Sequence, residues 1–321
     1  MICSETSNRT KINIVCATDD KYVPYCGVML TSLFENNKDC QVDVFIMIGK
    51  PLQEQNQEKF AELAKQYNTN ISYCVVDKRS LDKYPIKSEN INRWSIAIYY
   101  RLYAEELLPK TIDKVLYLDC DTIVNSSLKE LFDMDWDGIA VGAVPDMCTE
   151  WNEFYERLGY DKLKGYFNSG VLLMNLDYWR KHNIGQQCLI WLADNYDIVV
   201  NPDQDVLNAV LADKKKTLPV TYNYQIQLRM PYFFYTFSEA LKEEILQTRH
   251  PIIIHYASEL KPWMAYYYSF PFNDVWHKYK KISLWKAMPD ALPAKRKAIA
   301  FFKRYILWPL GFKLKKPSLV N

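Results

Sequence analysis

The stretch "VLYLDCDTIV" (Val115–Val124) places two carboxylates, Asp119 and Asp121, directly after an apolar run. The run has the length and composition of a buried strand. Ligands bind beyond the carboxyl ends of strands in open parallel sheets, so both aspartates would lie at a ligand site. With one residue between them, an extended chain directs both side chains to one side. Paired carboxylates attract a hard divalent cation, which can bind the phosphates of a nucleotide.

Similar apolar runs lie before this stretch and alternate with segments of helical periodicity. The predicted strands are Ile12–Ala17, Val42–Ile48 and Ile71–Val76, and the predicted helices are Tyr22–Asn36, Leu52–Tyr67 and Ser95–Leu107. Continuous apolar strands between helices of this length indicate βαβ units and a mainly parallel sheet with both faces covered. The predicted fold class is therefore α/β, with a Rossmann-like central sheet.

The second half of the chain is more mixed. Its predicted strands are Gly138–Val144, Ser169–Leu176 and the late run "PIIIHYA", and its predicted helices are Asp177–Asn195 and a helix opening at "NPDQDVLN". We expect Asn201 to cap that last helix and Pro202 to take its first position.

The composition is that of a globular protein of one large domain with an appendage. The chain has 321 residues, of which 49% are hydrophobic and 24% charged. Its eight cysteines are scattered without a CxxC pair, which indicates a reducing compartment rather than a disulfide framework or a zinc site. The N-terminus lacks the apolar core of a signal peptide, and no apolar run is long enough to span a membrane. We expect no nucleic-acid partner.

The C-terminal segment differs from the rest of the chain in charge. From residue 291 onward there are eight basic residues and no acidic ones, following Pro289 and Pro293. We therefore predict a main domain over 1–288 and a basic amphipathic helical tail over 289–321. Such a tail suits an anionic membrane surface, although packing as a helix on the domain is the alternative. The expected location is the cytoplasm, peripherally on the inner face of the cell membrane.

The aspartate pair alone permits three interpretations. It can be a solvated strand end without function. It can belong to phosphohydrolases with a nucleophilic aspartate, but their motif expects Thr or Val four residues after the first aspartate, where this chain has Ile123. It can also hold Mn²⁺ against the diphosphate of a nucleotide sugar in a glycosyltransferase.

Two further motifs end in polar residues at predicted strand termini. In "NIVCATDDKY", Ala17 and Asp19 lie at the end of the first strand. They form either an ordinary turn with a capping aspartate or a nucleoside pocket, in which backbone groups near Ala17 contact the base edge and Asp19 contacts the ribose or a donor of the base. In "FNSGVLLMNL", Asn168 and Ser169 precede a strand, either as a turn or as contacts to sugar hydroxyls or phosphate.

The last two motifs lie near the end of the predicted domain. Asp203 and Gln204 occupy the first turn of a helix, where acidic residues are favoured by the helix dipole but can also face a ligand. In "IIIHYASELKPW", His255 ends a strand as Asp119 does, and Lys261 follows. One imidazole with two carboxylates suits Mn²⁺ better than Mg²⁺, and Lys261 can neutralise a phosphate.

Taken together, these stretches resemble glycosyltransferase family 8, especially its bacterial lipopolysaccharide and lipooligosaccharide glucosyl- and galactosyltransferases. The matching stretches, in the family's order from Ile12 to Trp263, are "NIVCATDDKY", "SIAIYYRL", "KVLYLDCDTIV", "FNSGVLLMNL", "PDQDVLN" and "HYASELKPW". The resemblance implies a GT-A fold, a UDP-sugar donor and retention of the anomeric configuration.

The resemblance also implies roles for individual residues. The implied ligands of Mn²⁺, with Mg²⁺ as the other possible ion, are Asp119, Asp121 and His255. The other residues implied to bind the donor are Ala17, Asp19, Arg101, Cys120, Asn168, Ser169, Ser258 and Lys261. Two positions depart from the family: Lys21 replaces an asparagine of some relatives, and Ser258 replaces a common glycine at the diphosphate loop.

Three residues are implied to be catalytic. Gln204 matches the residue nearest the anomeric carbon, Asp203 would orient sugar hydroxyls, and Asp146 would touch the donor or acceptor sugar. Because an amide is a poor nucleophile, we favour a route in which the acceptor hydroxyl attacks on the face that UDP leaves, rather than a double displacement through a carboxylate. Gln204 would stabilise the developing positive charge.

The sequence leaves the substrates open. The transferred hexose is expected to be glucose or galactose, and the acceptor a glycan, glycolipid or glycoprotein such as lipopolysaccharide. The alternatives are a non-catalytic nucleotide-sugar or glycan-binding protein, a phosphohydrolase, and a self-glucosylating protein of the glycogenin kind.

Overall fold

The computed structural model describes residues 9–77, 79, 95–136, 138–258, 261–264 and 271–289. The predicted basic tail lies outside the described residues, apart from Pro289.

A seven-stranded sheet forms the centre of the described fold. The chain contributes, in order, strands β1 (Lys11–Ala17), β2 (Gln41–Ile48), β3 (Asn70–Val75), β4 (Lys114–Leu118), β5 (Thr122–Val124), β6 (Val141–Pro145), β7 (Phe167–Asn175), β8 (Lys215–Thr217), β9 (Tyr224–Gln225) and β10 (Ile253–His255). The main sheet has the order β3-β2-β1-β4-β7-β6-β8, and β5, β10 and β9 form a second, small sheet. All strand pairs of the main sheet are parallel except those of β7 with β4 and β6.

The predicted mainly parallel α/β sheet is therefore confirmed, with β7 as the reversed strand. Because β7 runs against its two neighbours, its first residues lie at the edge where β1, β4 and β6 end. Leu118, the last residue of β4, pairs with Val171 of β7. Residues that follow β4 and residues that open β7 are thus brought side by side.

Helices cover the sheet and link its strands. They are α1 (Val23–Asn36), α2 (Glu54–Tyr67), α3 (Ala104–Leu107), α4 (Lys129–Asp133), α5 (Asn152–Leu158), α6 (Leu176–His182), α7 (Ile184–Asn195), α8 (Pro202–Leu211), α9 (Pro231–Phe234), α10 (Glu239–Gln247) and α11 (Asn273–Ile282). None of the described helices is long and apolar enough to cross a membrane.

The structure corrects two predicted helices. The single helix expected over Asp177–Asn195 is broken at Asn183, whose φ of 51° ends α6 in a left-handed conformation that asparagine tolerates. The helix expected over Ser95–Leu107 is mostly a 3-10 helix, Ile96–Tyr103, followed by the short α3. Most residues of this 3-10 helix are buried, so tertiary packing decides its geometry.

Two hydrophobic cores lie on the two faces of the main sheet. Successive residues of a strand point to opposite faces. Accordingly Ile14 and Leu116 join the core that contains α1, whereas Val15 and Tyr117 join the core that contains α7. Burial on both faces explains why these strands are continuous apolar runs. The cysteines of the described part of the chain are free thiols, as the sequence predicts.

Candidate active site

The two aspartates lie in a tight turn between β4 and β5. The turn closes with a backbone hydrogen bond of 3.2 Å from Thr122 to the carbonyl of Asp119, and the Thr122 hydroxyl donates to the same carbonyl at 2.8 Å. The amide of Asp119 donates to the carbonyl of Gly170 at 2.8 Å, which anchors the turn to β7. The expected extended geometry is therefore wrong: the turn makes Asp119 and Asp121 converge.

The small sheet brings His255 to this pair. β10 pairs antiparallel with β5, and His255 stands opposite Thr122. Its Nε2 lies 3.4 Å from Oδ1 of Asp121 and 3.9 Å from Oδ2 of Asp119. One ligand atom from each of these three residues lies within 4.8 Å of the others. These are the three predicted metal ligands, and their spacing suits a single cation.

Gly170 makes room for this arrangement. A Cβ at this position would lie 2.2 Å from Cε1 of His255 and 2.7 Å from Oδ2 of Asp119. Any larger residue would therefore push the imidazole or the carboxylate away. This close approach explains the glycine in "FNSGVLL".

Asn223 fixes the orientation of the His255 ring, and sequence reasoning missed it. Its amide nitrogen donates to Oδ1 of Asn168 at 2.8 Å, so its Oδ1, 3.0 Å from Nδ1 of His255, must act as the acceptor. Nδ1 then carries the proton, which leaves the lone pair of Nε2 directed toward the carboxylates. Asn223 is fully buried. The sequence feature that could have marked Asn223 is its place as a lone asparagine inside the apolar run "PVTYNYQI", because a buried amide requires hydrogen-bond partners.

Lys261 contacts Asp121 and also donates to the carbonyl of Tyr256 at 2.8 Å. Burial by itself would raise the pKa of Asp121, but the ammonium of Lys261, with the His255 ring beside it, lowers it. Asp121 is therefore held as a carboxylate. Ser258 lies in the turn that leads from β10 toward Lys261, and its amide donates to the Tyr256 carbonyl at 2.7 Å.

Arg101 joins the metal-ligand group to helix α8. Its guanidinium lies 2.9 Å from Oδ1 of Asp119 and 3.1 Å from Oδ2 of Asp203, and it also donates to the carbonyl of Ser169. It stacks on the ring of Tyr117 at 4.0 Å, and the Tyr117 hydroxyl donates to Asp119 at 2.9 Å. A charge this buried needs such partners. Burial raises the pKa of Asp203, and the charge of Arg101, which acts to lower it, offsets only part of this rise.

The predicted catalytic residues meet on the other side of Asn168. Nε2 of Gln204 donates to Oδ2 of Asp146 at 3.2 Å, and Oε1 of Gln204 accepts from the Ser169 amide at 3.0 Å. The Asn168 side chain donates to the same Oδ2 of Asp146 at 3.0 Å and to Gln204 at 3.2 Å. Asn168 thus connects Asp146 and Gln204 with Asn223 and, through it, with His255.

Asp205 is separate from this group and has a structural role. It is fully buried and accepts from Arg157, from the Tyr166 hydroxyl at 2.7 Å and from the amides of Val200 and Asn201. It therefore ties the start of α8 to its surroundings. The predicted positions of Asn201 and Pro202 at this start are confirmed, but the Asn201 side chain makes no capping bond.

The predicted nucleoside residues lie at the end of β1. Oδ1 of Asp19 accepts from the amides of Lys21 and Tyr22, each at 3.0 Å. This oxygen therefore caps an ordinary turn, which was one of the two interpretations of this motif. Its Oδ2 lies 3.4 Å from the hydroxyl of Ser95. The thiol of Cys120 donates to the carbonyl of Ala17 at 3.2 Å, which joins this turn to the aspartate turn.

Comparison with solved structures defines the class. The galactosyltransferase LgtC, solved in complex with donor and acceptor sugar analogs, superposes with a TM-score of 0.74 and 27% sequence identity, covering 89% of this chain and 99% of that one. The fold is therefore the GT-A type of glycosyltransferase, as expected.

The chain belongs to glycosyl transferase family 8, whose model matches residues 13–266. Lipopolysaccharide 1,2-glucosyltransferase of Escherichia coli (strain K12) is 30% identical over 306 residues, covering 91% of this chain and 83% of the relative. Lipopolysaccharide 1,3-galactosyltransferase of Salmonella typhimurium is 27% identical over 289 residues, covering 88% and 81%. The family is thus one of glycosyltransferases and not of phosphohydrolases.

Proposed function

We propose that this protein transfers a hexose, glucose or galactose, from a UDP-sugar to a cell-surface glycan of the lipopolysaccharide kind, with retention of the anomeric configuration. The observation that carries the proposal is the convergence of Asp119, Asp121 and His255 beside the Asp146–Gln204 pair. A diphosphate at the first group would place an attached sugar toward the second. The names of the two relatives support a hexose and a lipopolysaccharide acceptor.

The residues present fit a divalent cation. Two carboxylates and one imidazole form a donor set of mixed oxygen and nitrogen, which suits Mn²⁺ better than Mg²⁺. The lone pair of His255 points into the group, and Gly170 leaves the space for it. When bound there, Mn²⁺ would neutralise the charge of the donor diphosphate.

The positive charge of Lys261 would assist the metal at the donor diphosphate. The ammonium of Lys261 is held by Asp121 and the Tyr256 carbonyl, so it lies beside the proposed metal ligands. From there it can donate to a phosphate oxygen and stabilise UDP as it departs. We assign the ribose to Asp19 and the base to the backbone near Ala17, with Cys120 and Ser258 in the walls of the donor site.

Retention is proposed to proceed without a covalent intermediate. Gln204 is an amide, and the carboxylate of Asp146 is buried and accepts bonds from Asn168 and Gln204. The acceptor hydroxyl would attack the anomeric carbon as its bond to phosphate breaks, and the departing phosphate oxygen would take the hydroxyl proton. Gln204 would face the positive charge, and Asp203, held by Arg101, would orient the sugar. A glycosyl adduct trapped on Asp203 or Asp146 would contradict this route.

The experiment for the proposed function is a donor panel. The full chain with Mn²⁺ is offered UDP-glucose, UDP-galactose and other UDP-sugars, and released UDP is measured. We expect release from a UDP-hexose, and the preferred donor identifies the sugar. Absence of release from every donor would instead favour a non-catalytic nucleotide-sugar or glycan-binding protein.

A further inference from the structure

Four aromatic side chains form a cluster that the site described above does not use. The aromatic cluster consists of Trp151, Phe154, Tyr232 and Phe233. Trp151 lies at its centre: its ring stacks on Phe233 with centroids 5.7 Å apart and an interplanar angle of 16°, and it meets Tyr232 edge-on at 5.5 Å and Phe154 at 6.0 Å. Such ring pairs add to the stability of a surface segment and hold its rings in fixed positions.

The cluster is open to solvent. Tyr232 is 71% exposed, and Trp151, Phe154 and Phe233 are each half-buried. Most large apolar side chains of the described chain lie in its cores, so a group of rings that is partly open to solvent, with Tyr232 exposed at its edge, is a candidate binding surface.

Two chain segments link the cluster to the candidate active site. Trp151 follows the end of β6, five residues after Asp146, and Phe233 lies in α9, which follows β9. Gln225 of β9 joins the two segments, because it accepts from the amide of Met147 at 3.0 Å and donates to the carbonyl of Pro145 at 2.9 Å. Gln225 also pairs with His255 across the small sheet.

The strand order of the main sheet indicates on which side of the site the cluster lies. Along the edge at which ligand groups collect, the strands follow in the order β1, β4, β7, β6. They carry, in that order, the proposed nucleoside residues, the metal ligands, Asn168 and Asp146. With the donor bound as proposed, it would extend from β1 toward β6, and the loop after β6 would lie beyond the transferred sugar, on the side from which the acceptor approaches.

We propose that the aromatic cluster is a subsite that binds a sugar ring of the acceptor glycan, beyond the ring that receives the hexose. This inference rests on the proposed function. The C–H groups on one face of a pyranose pack on aromatic rings, and the Tyr232 hydroxyl is available at the rim for hydrogen bonds to sugar hydroxyls. The cluster therefore selects oligosaccharides over monosaccharides as acceptors.

The test compares acceptors of two sizes. The full chain and the variants Tyr232→Ala, Trp151→Ala and Trp151→Phe are assayed for transfer to methyl glycosides and to lipid-free core oligosaccharide from enterobacterial lipopolysaccharide. The alanine variants should raise KM for the oligosaccharide about five- to tenfold, the effect of losing one stacked ring. They should leave KM for the methyl glycosides and UDP release without acceptor within about twofold of wild type. Trp151→Phe keeps a ring and should recover part of the loss.

The control is Ile190→Ala, which removes a side chain that is 50% exposed on α7 and should change neither KM. Unchanged oligosaccharide KM in both alanine variants, or an equal loss for both acceptor sizes, would overturn the subsite. Binding of the oligosaccharide alone, measured by saturation-transfer NMR with and without Tyr232→Ala, separates this result from the proposed function. If wild type releases no UDP, the proposed function fails, but a saturation-transfer signal that is present with wild type and lost with Tyr232→Ala still supports the subsite. If the oligosaccharide gives no saturation-transfer signal with wild type, the subsite is overturned.

Discussion

At the scale of single residues, amide side chains hold the charged groups of the site in place. Asn168 bonds Asp146 and Gln204 on one side and Asn223 on the other, and Asn223 bonds His255. Each amide has both a donor and an acceptor, so this series of bonds assigns the proton on the His255 ring. The metal ligands are thus oriented by residues that carry no charge.

Replacing Asn223 by Ala should weaken Mn²⁺ binding by about ten- to a hundredfold, the usual effect of losing a hydrogen bond behind a metal ligand. The physical reason is that Nδ1 of His255 loses its acceptor and the ring loses its fixed tautomer. Calorimetric titration with Mn²⁺ in the presence of UDP measures the effect. Asn223→Asp keeps an acceptor for Nδ1 and should retain more affinity than Asn223→Ala.

The control for Asn223 is Asn37→Ala, another buried asparagine whose amide bonds the Leu33 carbonyl and the Leu128 amide far from the metal ligands. It should lower the free energy of unfolding without changing Mn²⁺ affinity. Equal Mn²⁺ affinities in Asn223→Ala and wild type would show that the ring does not need this partner.

The sequence predicted the charged ligands and named Asn168 as a donor contact, but it did not predict Asn223 behind His255. Asp119 and His255 each follow an apolar run, so a periodic pattern marks them as strand ends. Asn223 follows a short 3-10 turn and pairs with residues 32 and 55 positions away, which no local pattern encodes. The roles assigned to the site residues stay predictions until variants are measured.

At the scale of secondary-structure elements, local patterns predicted the buried strands well and the breaks between elements poorly. β1, β2 and β3 lie within a residue of their predicted bounds; β1 and β2 are largely buried, whereas the edge strand β3 has no buried residue. The left-handed Asn183 and the turn at Asp119–Asp121 were missed. Both depend on backbone conformations that polar residues tolerate but do not require.

The edge strand β8 offers a test of packing by its pH dependence. Burial lowers the pKa of Lys215 to about 8, although its ammonium donates to the carbonyls of Ala212 and Gly165 at 3.0 and 3.2 Å. Between that pKa and the unfolded value of about 10.4, the unfolded chain binds more protons, so this group makes the fold more stable as pH rises. The free energy of unfolding of wild type relative to Lys215→Met should therefore increase from pH 8 toward pH 10.

Denaturant unfolding at several pH values measures this difference, and the exposed Lys214→Met is the control, since its ammonium stays in water. A wild-type advantage that falls over this pH range would mean that Lys215 is not held in a desolvated position.

At the scale of the whole molecule, the domain and the tail are expected to divide two tasks. The domain predicted over 1–288 contains the site, and the basic tail predicted over 289–321 is proposed to bring it to an anionic membrane surface on the inner face of the cell membrane. A lipid-linked acceptor would be met there. This division is a proposal that follows from charge alone.

Truncation after Pro289 tests the tail. The full chain should sediment with vesicles that contain phosphatidylglycerol and dissociate from them at high salt, because the attraction is electrostatic. It should not sediment with phosphatidylcholine vesicles. The truncated chain should stay in the supernatant while releasing UDP at the wild-type rate. Continued sedimentation of the truncated chain would show that the tail is not the anchor.

The proposed metal site is tested most directly by measuring UDP release by Asp121→Ala as Mn²⁺ is titrated. We expect Mn²⁺-dependent release in wild type, none in Asp121→Ala, and wild-type behaviour in Asp177→Asn, which removes a carboxylate that is 72% exposed. Thermal unfolding without metal checks that both variants fold. Wild-type release in Asp121→Ala would contradict the assignment of the two aspartates and His255 as the metal site for a nucleotide diphosphate.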